Sequence, residues 1–349
     1  MVVSPIARVS GKVLVIAHRG ASALLPEHTL VAYARAIEDG ADLIEPDLVM
    51  TRDGVLVARH EGEISASTDV SSRAEFHARR TSKLIDGVLV EGWFCEDFTL
   101  AELRTLRCRE PLPDMRSRAH DGLHAIPTFD EIVELAARES QRRGRMIGII
   151  PEIKNSTWFH SIDLDPERAL IAAVQRHDYL RHVPFGIQSF EVGNLRELRS
   201  SLGSFANIFL VQLIGSDDAA PFDQVTAGSE PQPYTTMIAP SGLAAVREYA
   251  DAVAVNRRRI RPLDPVSGGL AAETTIIADA HAAGLAVHAW TLRPENAWLP
   301  PAWRCGDDPA KRCESGFLRE MRALIDAGVD AIFSDDPGLA RRAVDALID

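Results

Sequence analysis

Three apolar runs in this chain end abruptly in polar residues of types that do chemistry. Val15-Ile16-Ala17 leads into His18-Arg19-Gly20, Leu43-Ile44 into Glu45-Pro46-Asp47, and Gly148-Ile149-Ile150 into Pro151-Glu152-Ile153-Lys154. Residues two apart on a strand project to the same side. Glu45 and Asp47 therefore present two carboxylates together, which repel unless a cation lies between them. Glu152 would complete a three-carboxylate set. Hard oxygen donors without thiolate or imidazole suit one divalent cation, Ca2+ or Mg2+, better than zinc. Lys154, on the side of Glu152, could meet an anionic group. Each feature also has a bland reading: a core or surface histidine, a solvated strand end, a simple Glu–Lys pair.

A fourth feature is the run from Asp47 through Asp53-Gly54 to His60. Asp-Gly between apolar runs predicts a two-residue hairpin turn. That register sets Asp47 directly opposite His60, about 5 Å apart at Cβ. Pro46 cannot donate to a ladder, so a bulge is expected there. Later strand ends add Gln188, Phe190, His288, Trp290 and Asp335, with His288 and Trp290 on one face. Trp290 reads as a pocket wall or a core aromatic. His77, His120, His177, His182 and His281 sit in polar or helical surroundings and read as solvated.

The elements that must carry these residues alternate. Short β-branched runs fall at 13–17, 43–50, 146–150, 185–187, 208–213, 252–255, 286–289 and 331–333. Helical patterns lie between most of them, at 29–39, 128–138, 167–176, 192–200, 274–283 and 317–327. Eight strands alternating with helices predict an α/β protein, a TIM (β/α)8 barrel over 13–345, with an open doubly wound sheet as the alternative. Strand ends would then face the catalytic mouth. Residues 53–125 are too long for one loop and read as an inserted subdomain after the second strand. The stretches 217–234 and 294–314 read as surface excursions.

Composition narrows the function. The 349 residues are 46% hydrophobic, enough for a large core, and 38 Lys and Arg against 50 Asp and Glu give a net charge of −12. Such a chain is a poor nucleic-acid binder and a poor match for an anionic membrane. No apolar run approaches a membrane span. There is no GxGxxG, P-loop or GxSxG motif. Cys95, Cys108, Cys305 and Cys313 fit no common zinc signature and read as unpaired thiols, with a Cys305–Cys313 bridge as the alternative. Met1–Lys12 lacks the pattern of a secretory signal, which predicts a cytoplasmic protein, or a periplasmic or secreted one if the start is truncated.

Taken in order, His18-Arg19-Gly20, Pro26-Glu27-His28-Thr29, Glu45-x-Asp47, His60 and Pro151-Glu152-Ile153-Lys154 resemble the glycerophosphodiester phosphodiesterase family. Leu48-Val49-Met50-Thr51, Trp158-Phe159-His160 and Leu210-Val211-Gln212-Leu213-Ile214 resemble its periplasmic-type branch. The resemblance implies a TIM barrel that hydrolyses small-molecule glycerophosphodiesters, such as glycerophosphocholine or glycerophosphoethanolamine, to sn-glycerol 3-phosphate and an alcohol. It implies a divalent cation on Glu45, Asp47 and Glu152, an acid/base pair in His18 and His60, and phosphate contacts from Arg19 and Lys154. Gln188, Phe190 and Trp290 would line the substrate pocket. His60-Glu61 and the middle Pro46 depart from the family's usual His-Asp and Glu-x-Asp surroundings. A homo-oligomer is compatible with all of this. Two alternatives remain. One is a phospholipase D-like barrel enzyme acting on lipid headgroups, with Trp298, Leu299 and Trp303 as an apolar rim. The other is a non-catalytic binding protein that keeps the barrel.

Overall fold

The computed structural model describes residues 13–228 and 230–346. The leading segment Met1–Lys12, where a signal was sought, lies outside them. Among the described residues thirteen strands follow one another: β1 Leu14–His18, β2 Leu43–Glu45, β3 Asp47–Met50, β4 Leu56–Ala58, β5 Thr81–Ile85, β6 Val88–Gly92, β7 Gly148–Ile149, β8 Glu152–Ile153, β9 Phe185–Ser189, β10 Ile208–Leu213, β11 Ala252–Asn256, β12 Ala286–Leu292 and β13 Ala331–Ser334. Parallel pairing runs β13–β1–β2–β7–β9–β10–β11–β12 and returns to β13. The sheet is thus a closed eight-stave barrel, and the open-sheet alternative is excluded.

Two staves are interrupted at the same level. Pro46 separates β2 from β3, and Pro151 separates β7 from β8. Neither proline has an N–H to give a ladder. Beyond the breaks β3 pairs with β8, setting Asp47 beside Glu152, and Glu152 pairs with Gln188 on β9. The prolines thereby turn three polar side chains toward one another.

Helices cover the outside for local reasons. Thr29 caps helix Leu30–Glu38 by accepting from the Ala32 amide at 3.2 Å. Thr128 and Glu131 form a reciprocal capping box at the start of helix Phe129–Arg143. That helix runs beyond the expected residue 138. Its last turns lack an apolar stripe but carry the Glu139–Arg142 and Glu139–Arg143 pairs before Gly144 turns left-handed. Inside the barrel, Leu14, Ile16, Phe209, Val211 and Phe333 pack with small alanines. Gly186 is required there, because a Cβ would meet the Phe209 ring at 2.5 Å.

Within 53–125, β4 runs antiparallel to β3, and β5 and β6 form a separate hairpin. Phe76, Trp93, Phe98 and Cys108 are buried in the same core as the barrel helices. The β3–β4 register differs from expectation. Leu48 faces Ala58 and Met50 faces Leu56, so Asp47 lies opposite Arg59 rather than His60. The loop has three residues, because Asp53 is drawn inward to accept from the Thr51 hydroxyl (2.6 Å) and the Leu100 amide (2.9 Å). The excursion 217–234 contains a short helix, Phe222–Thr226. Cys305 and Cys313 are bridged, closing the 294–314 excursion, where Glu295 and Arg312 pair across its base. The unpaired reading holds only for Cys95 and Cys108, both buried.

Candidate active site

The ten residues given roles by the family resemblance, His18, Arg19, Glu45, Asp47, His60, Glu152, Lys154, Gln188, Phe190 and Trp290, stand together at the C-terminal mouth of the barrel. Glu45, Asp47 and Glu152 each offer a carboxylate oxygen within 4.8 Å of the others, and all three are buried. Burial and the neighbouring carboxylates Asp47 and Glu152 push Glu45 well above the usual carboxylate range. Burial pushes Glu152 up to about 8, against the pull of Lys154. Burial would also raise Asp47, but Lys154 and the His28 hydrogen bond outweigh it and hold that carboxyl well below its ordinary value. Three buried oxygen donors that resist sharing their charge suit a divalent cation. Gln188 supports the set, donating to Glu45 at 3.1 Å while its own Oε1 is buried without a partner.

Two histidines flank the carboxylates. His18 Nδ1 lies 2.6 Å from Asp335 Oδ1, leaving Nε2 as its free ring nitrogen. Burial, then the Arg19 guanidinium, lowers this imidazole to about 4 despite Asp335. His60 Nδ1 lies 2.8 Å from Glu61, so glutamate fills the position where the family resemblance led one to expect aspartate. Burial, Lys154 and Arg19 lower His60 as well. The one-residue register shift has not removed it from the mouth; it lines both cavities described next.

Arg19 adopts a left-handed backbone (φ 57°), which is unusual for a side-chain-bearing residue. Its amide is thereby directed at Glu45 Oε2 (2.8 Å), and its guanidinium reaches Glu27 (2.8 Å) and Asp47 (3.5 Å). Lys154 Nζ pairs with Glu152 at 3.0 Å, so the simple ion pair is real, yet both line the site. A cavity of about 130 Å³ is lined by His18, Glu45, Glu152, Lys154, Phe190 and Trp290, among others. The Phe190 and Trp290 rings meet edge-on at 6.4 Å and form an apolar wall. A second cavity of about 290 Å³ opens on the far side of His18, Arg19 and His60, toward Ser67 and Leu112.

Several contributors went unassigned from sequence. His28, fully buried, holds Asp47, and Glu27 holds Arg19. Arg116 reaches from the 53–125 excursion to Asp335 (2.6 Å) and Glu295 (2.8 Å), and Arg293 approaches Asp335 at 3.0 Å. The Pro-Glu-His-Thr cap before the first helix was a usable signal for Glu27 and His28. Arg116 gave none, since it lies in an aperiodic stretch. His288, in contrast, misses the mouth. It sits a layer below, between Ala254 and Ala331 and 6.2 Å from the Phe333 ring. The expected apolar rim is also absent: Leu299 is buried, Trp298 lies under the Arg116 and Arg293 guanidinium groups, and Trp303 under that of Arg319.

A closed barrel with its polar cluster at the strand C-termini defines a (β/α)8 enzyme. Within that class, the chain belongs to the glycerophosphoryl diester phosphodiesterase family, whose model matches residues 18–339, and is accordingly a phosphodiester hydrolase. It is 30% identical to a glycerophosphodiester phosphodiesterase of Arabidopsis thaliana over 93% of this chain and 83% of the relative. It is 27% identical to one of Haemophilus influenzae, over 93% and 87%. A phosphodiesterase from Oleispira antarctica, solved with sn-glycerol 3-phosphate, shares the fold at a TM-score of 0.61 with 20% identity, covering 96% of this chain and 98% of that one. A Silicibacter pomeroyi structure gives 0.65 with 21% identity, covering 96% and 94%. Among the described residues no helix is long and apolar enough to cross a membrane.

Proposed function

We propose that this enzyme cleaves glycerophosphodiesters such as glycerophosphocholine and glycerophosphoethanolamine to sn-glycerol 3-phosphate and the free alcohol. One observation carries the reading: three buried carboxylates within 4.8 Å of one another, with two histidines beside them at the barrel mouth. Glu45, Asp47 and Glu152 would hold one divalent cation, Ca2+ or Mg2+, which when bound supplies neutralising charge for the phosphoryl oxygens. Arg19 and Lys154 add positive charge around the phosphate, and Phe190 and Trp290 cover the carbon skeleton.

His18 and His60 divide the proton work. His18 is held neutral by burial and the Arg19 charge and is oriented by Asp335, so its free Nε2 is an acceptor for the proton of an attacking oxygen. His60, more open and tethered through Glu61, stands where a departing alkoxide can be protonated. The test is release of sn-glycerol 3-phosphate from glycerophosphocholine with Ca2+, with Mg2+ and with excess chelator, using the wild type and the His18→Ala and His60→Ala variants. Metal-dependent release that collapses in both variants supports the assignment. Undiminished release in either variant removes that histidine from its role.

A further inference from the structure

A carboxylate taken out of water is normally matched by a cation, because its charge is otherwise costly to bury. Among the described residues, three acids beside the catalytic mouth are held by neutral groups alone. Glu191, two residues beyond β9, is 5% exposed; both its oxygens accept from the Thr157 amide at 3.1 Å. Asp86 accepts from the Asn155 side-chain amide at 2.6 Å, and its Oδ1 is buried without a partner. Asp223 accepts from the Val192 and Gly193 amides at 3.2 and 2.6 Å, and its Oδ1 is likewise buried and unpartnered. Burial lifts Glu191 to about 7 against the pull of Thr157, and Asp223 and Asp86 add to the rise.

Glu191 and Asp86 line one cavity of about 300 Å³ whose other walls include the rings of Phe190, Phe222 and Tyr234. Phe190 is a partition. Its ring meets Tyr234 edge-on at 6.2 Å and Trp290 of the reaction pocket edge-on at 6.4 Å. The Tyr234 hydroxyl is fixed by donating to the Phe190 carbonyl at 2.9 Å. The loop beside it must be small, since a Cβ at Gly215 would meet the Tyr234 ring at 2.6 Å. The same cavity reaches Glu152 and Lys154, so it is continuous with the reaction centre. Of its described lining residues only Lys154 is cationic, and Glu152 engages it at 3.0 Å.

We propose that this cavity seats the departing alcohol and selects alcohols that carry an ammonium group. Aromatic faces attract an organic cation, most strongly where water is excluded. The carboxylates supply the counter-charge, which a neutral polyol would leave unmatched. A primary ammonium suits Asp86 and Glu191, and the methyl groups of a quaternary one suit the three rings. With phosphorus held between the carboxylate set and Lys154, a two-carbon chain on its oxygen leads past Phe190 toward them. The assignment to the alcohol rests on the hydrolytic reading above, whereas binding of a free organic cation in the cavity does not.

Two measurements on the full-length enzyme test this. One is the affinity for choline alone by calorimetry. The other is the ratio of kcat/KM for glycerophosphoethanolamine over glycerophosphoglycerol, whose alcohol is neutral. Both are made on the wild type and on Asp86→Asn/Glu191→Gln. The amides keep the hydrogen bonds to Asn155 and Thr157, and asparagine tolerates the positive φ of residue 86. In the variant the choline affinity and the ratio should each fall about tenfold. Phe222→Leu keeps apolar bulk without a ring face and should weaken choline by about threefold. A wild type that does not bind choline, or that does not favour the cationic substrate, overturns the proposal. So does a folded double variant with either quantity unchanged. If the double variant does not fold, unchanged choline affinity in Phe222→Leu overturns it instead. Absence of release from both substrates, with choline binding still dependent on the two carboxylates, overturns the hydrolytic reading and the alcohol assignment while upholding the cation site.

Discussion

His28 Nε2 lies 2.9 Å from Asp47 Oδ2, and the same ring's Nδ1 lies 2.7 Å from the Tyr33 hydroxyl. Neither ring face reaches solvent. With the tyrosine donating to Nδ1, the proton sits on Nε2 and is given to the carboxylate, which fixes the direction in which Asp47 offers its other oxygen. Supports of this kind are worth about 10–100-fold in metal affinity. His28→Ala should weaken Ca2+ or Mg2+ binding by that factor in calorimetry. An unchanged dissociation constant would remove His28 from this role.

Glu45→Gln and Glu152→Gln keep shape and remove charge. In the wild type, saturating divalent cation should raise the melting temperature, by about 2.7 kcal/mol of stabilisation at a hundredfold excess over Kd. Either amide variant should melt at the same temperature with cation or with chelator. A wild type indifferent to both cations would dismiss the three-carboxylate centre.

Arg116 ties the excursion to the last barrel strand through a buried pair with Asp335 and Glu295. Removing one member of such a pair costs about 3–5 kcal/mol. Arg116→Met should lower the urea midpoint accordingly, and Asp335→Asn should lower it as well and in addition reduce kcat by about a hundredfold or more, because His18 loses its orienting partner. Wild-type kcat in Asp335→Asn would contradict the assignment.

His288 provides a pH dependence that can be isolated. Burial lowers its imidazole to about 4, whereas in the unfolded chain it titrates near 6.5. Between those values the unfolded state binds the proton and the folded state does not. Stability is therefore retained above pH 6.5 and declines as pH falls toward 4, by up to about 3 kcal/mol from this residue. His288→Leu should show a smaller drop in urea midpoint between pH 7 and 4.5. Equal drops in the two proteins would assign the acid sensitivity elsewhere.

The Cys305–Cys313 bridge closes a short loop, for which chain entropy suggests about 2–3 kcal/mol. Reductant or Cys305→Ser should lower the melting temperature, and alkylation before reduction, on denatured protein, should mark Cys95 and Cys108 alone. Such bridges persist in oxidising compartments, so fractionation of producing cells should find the protein outside the cytoplasm. Four alkylated cysteines in native material would refute both.

Alternation of strand and helix made the barrel legible, since a closed parallel sheet is the arrangement that satisfies eight such units. The polar residues at the strand ends were legible for the same reason: Glu45, Asp47, Glu152 and Lys154 interrupt runs that are otherwise apolar. What escaped depended on tertiary contacts. Asp53-Gly54 and Asp86-Gly87 have the same turn signature, yet only the second makes the two-residue hairpin; the first is widened because Asp53 is engaged by Thr51 and Leu100. His288 shares a strand face with Trp290, but alternation gives a face and not a depth, so a core histidine and a mouth residue looked alike. Arg116 and the 305–313 bridge depend on how long excursions fold back, and short-range pattern carries no information about that.

Closure of the barrel through β1 and β13 has a consequence for biosynthesis. His18 belongs to the first stave and Asp335 follows the last, 317 positions later. A ribosome must deliver every stave of the barrel before the two can meet. Prematurely terminated products that stop short of that aspartate, however well their early helices form, should be unable to turn over substrate, and the cell would be spared a partly built phosphodiesterase acting on its phosphodiester pool.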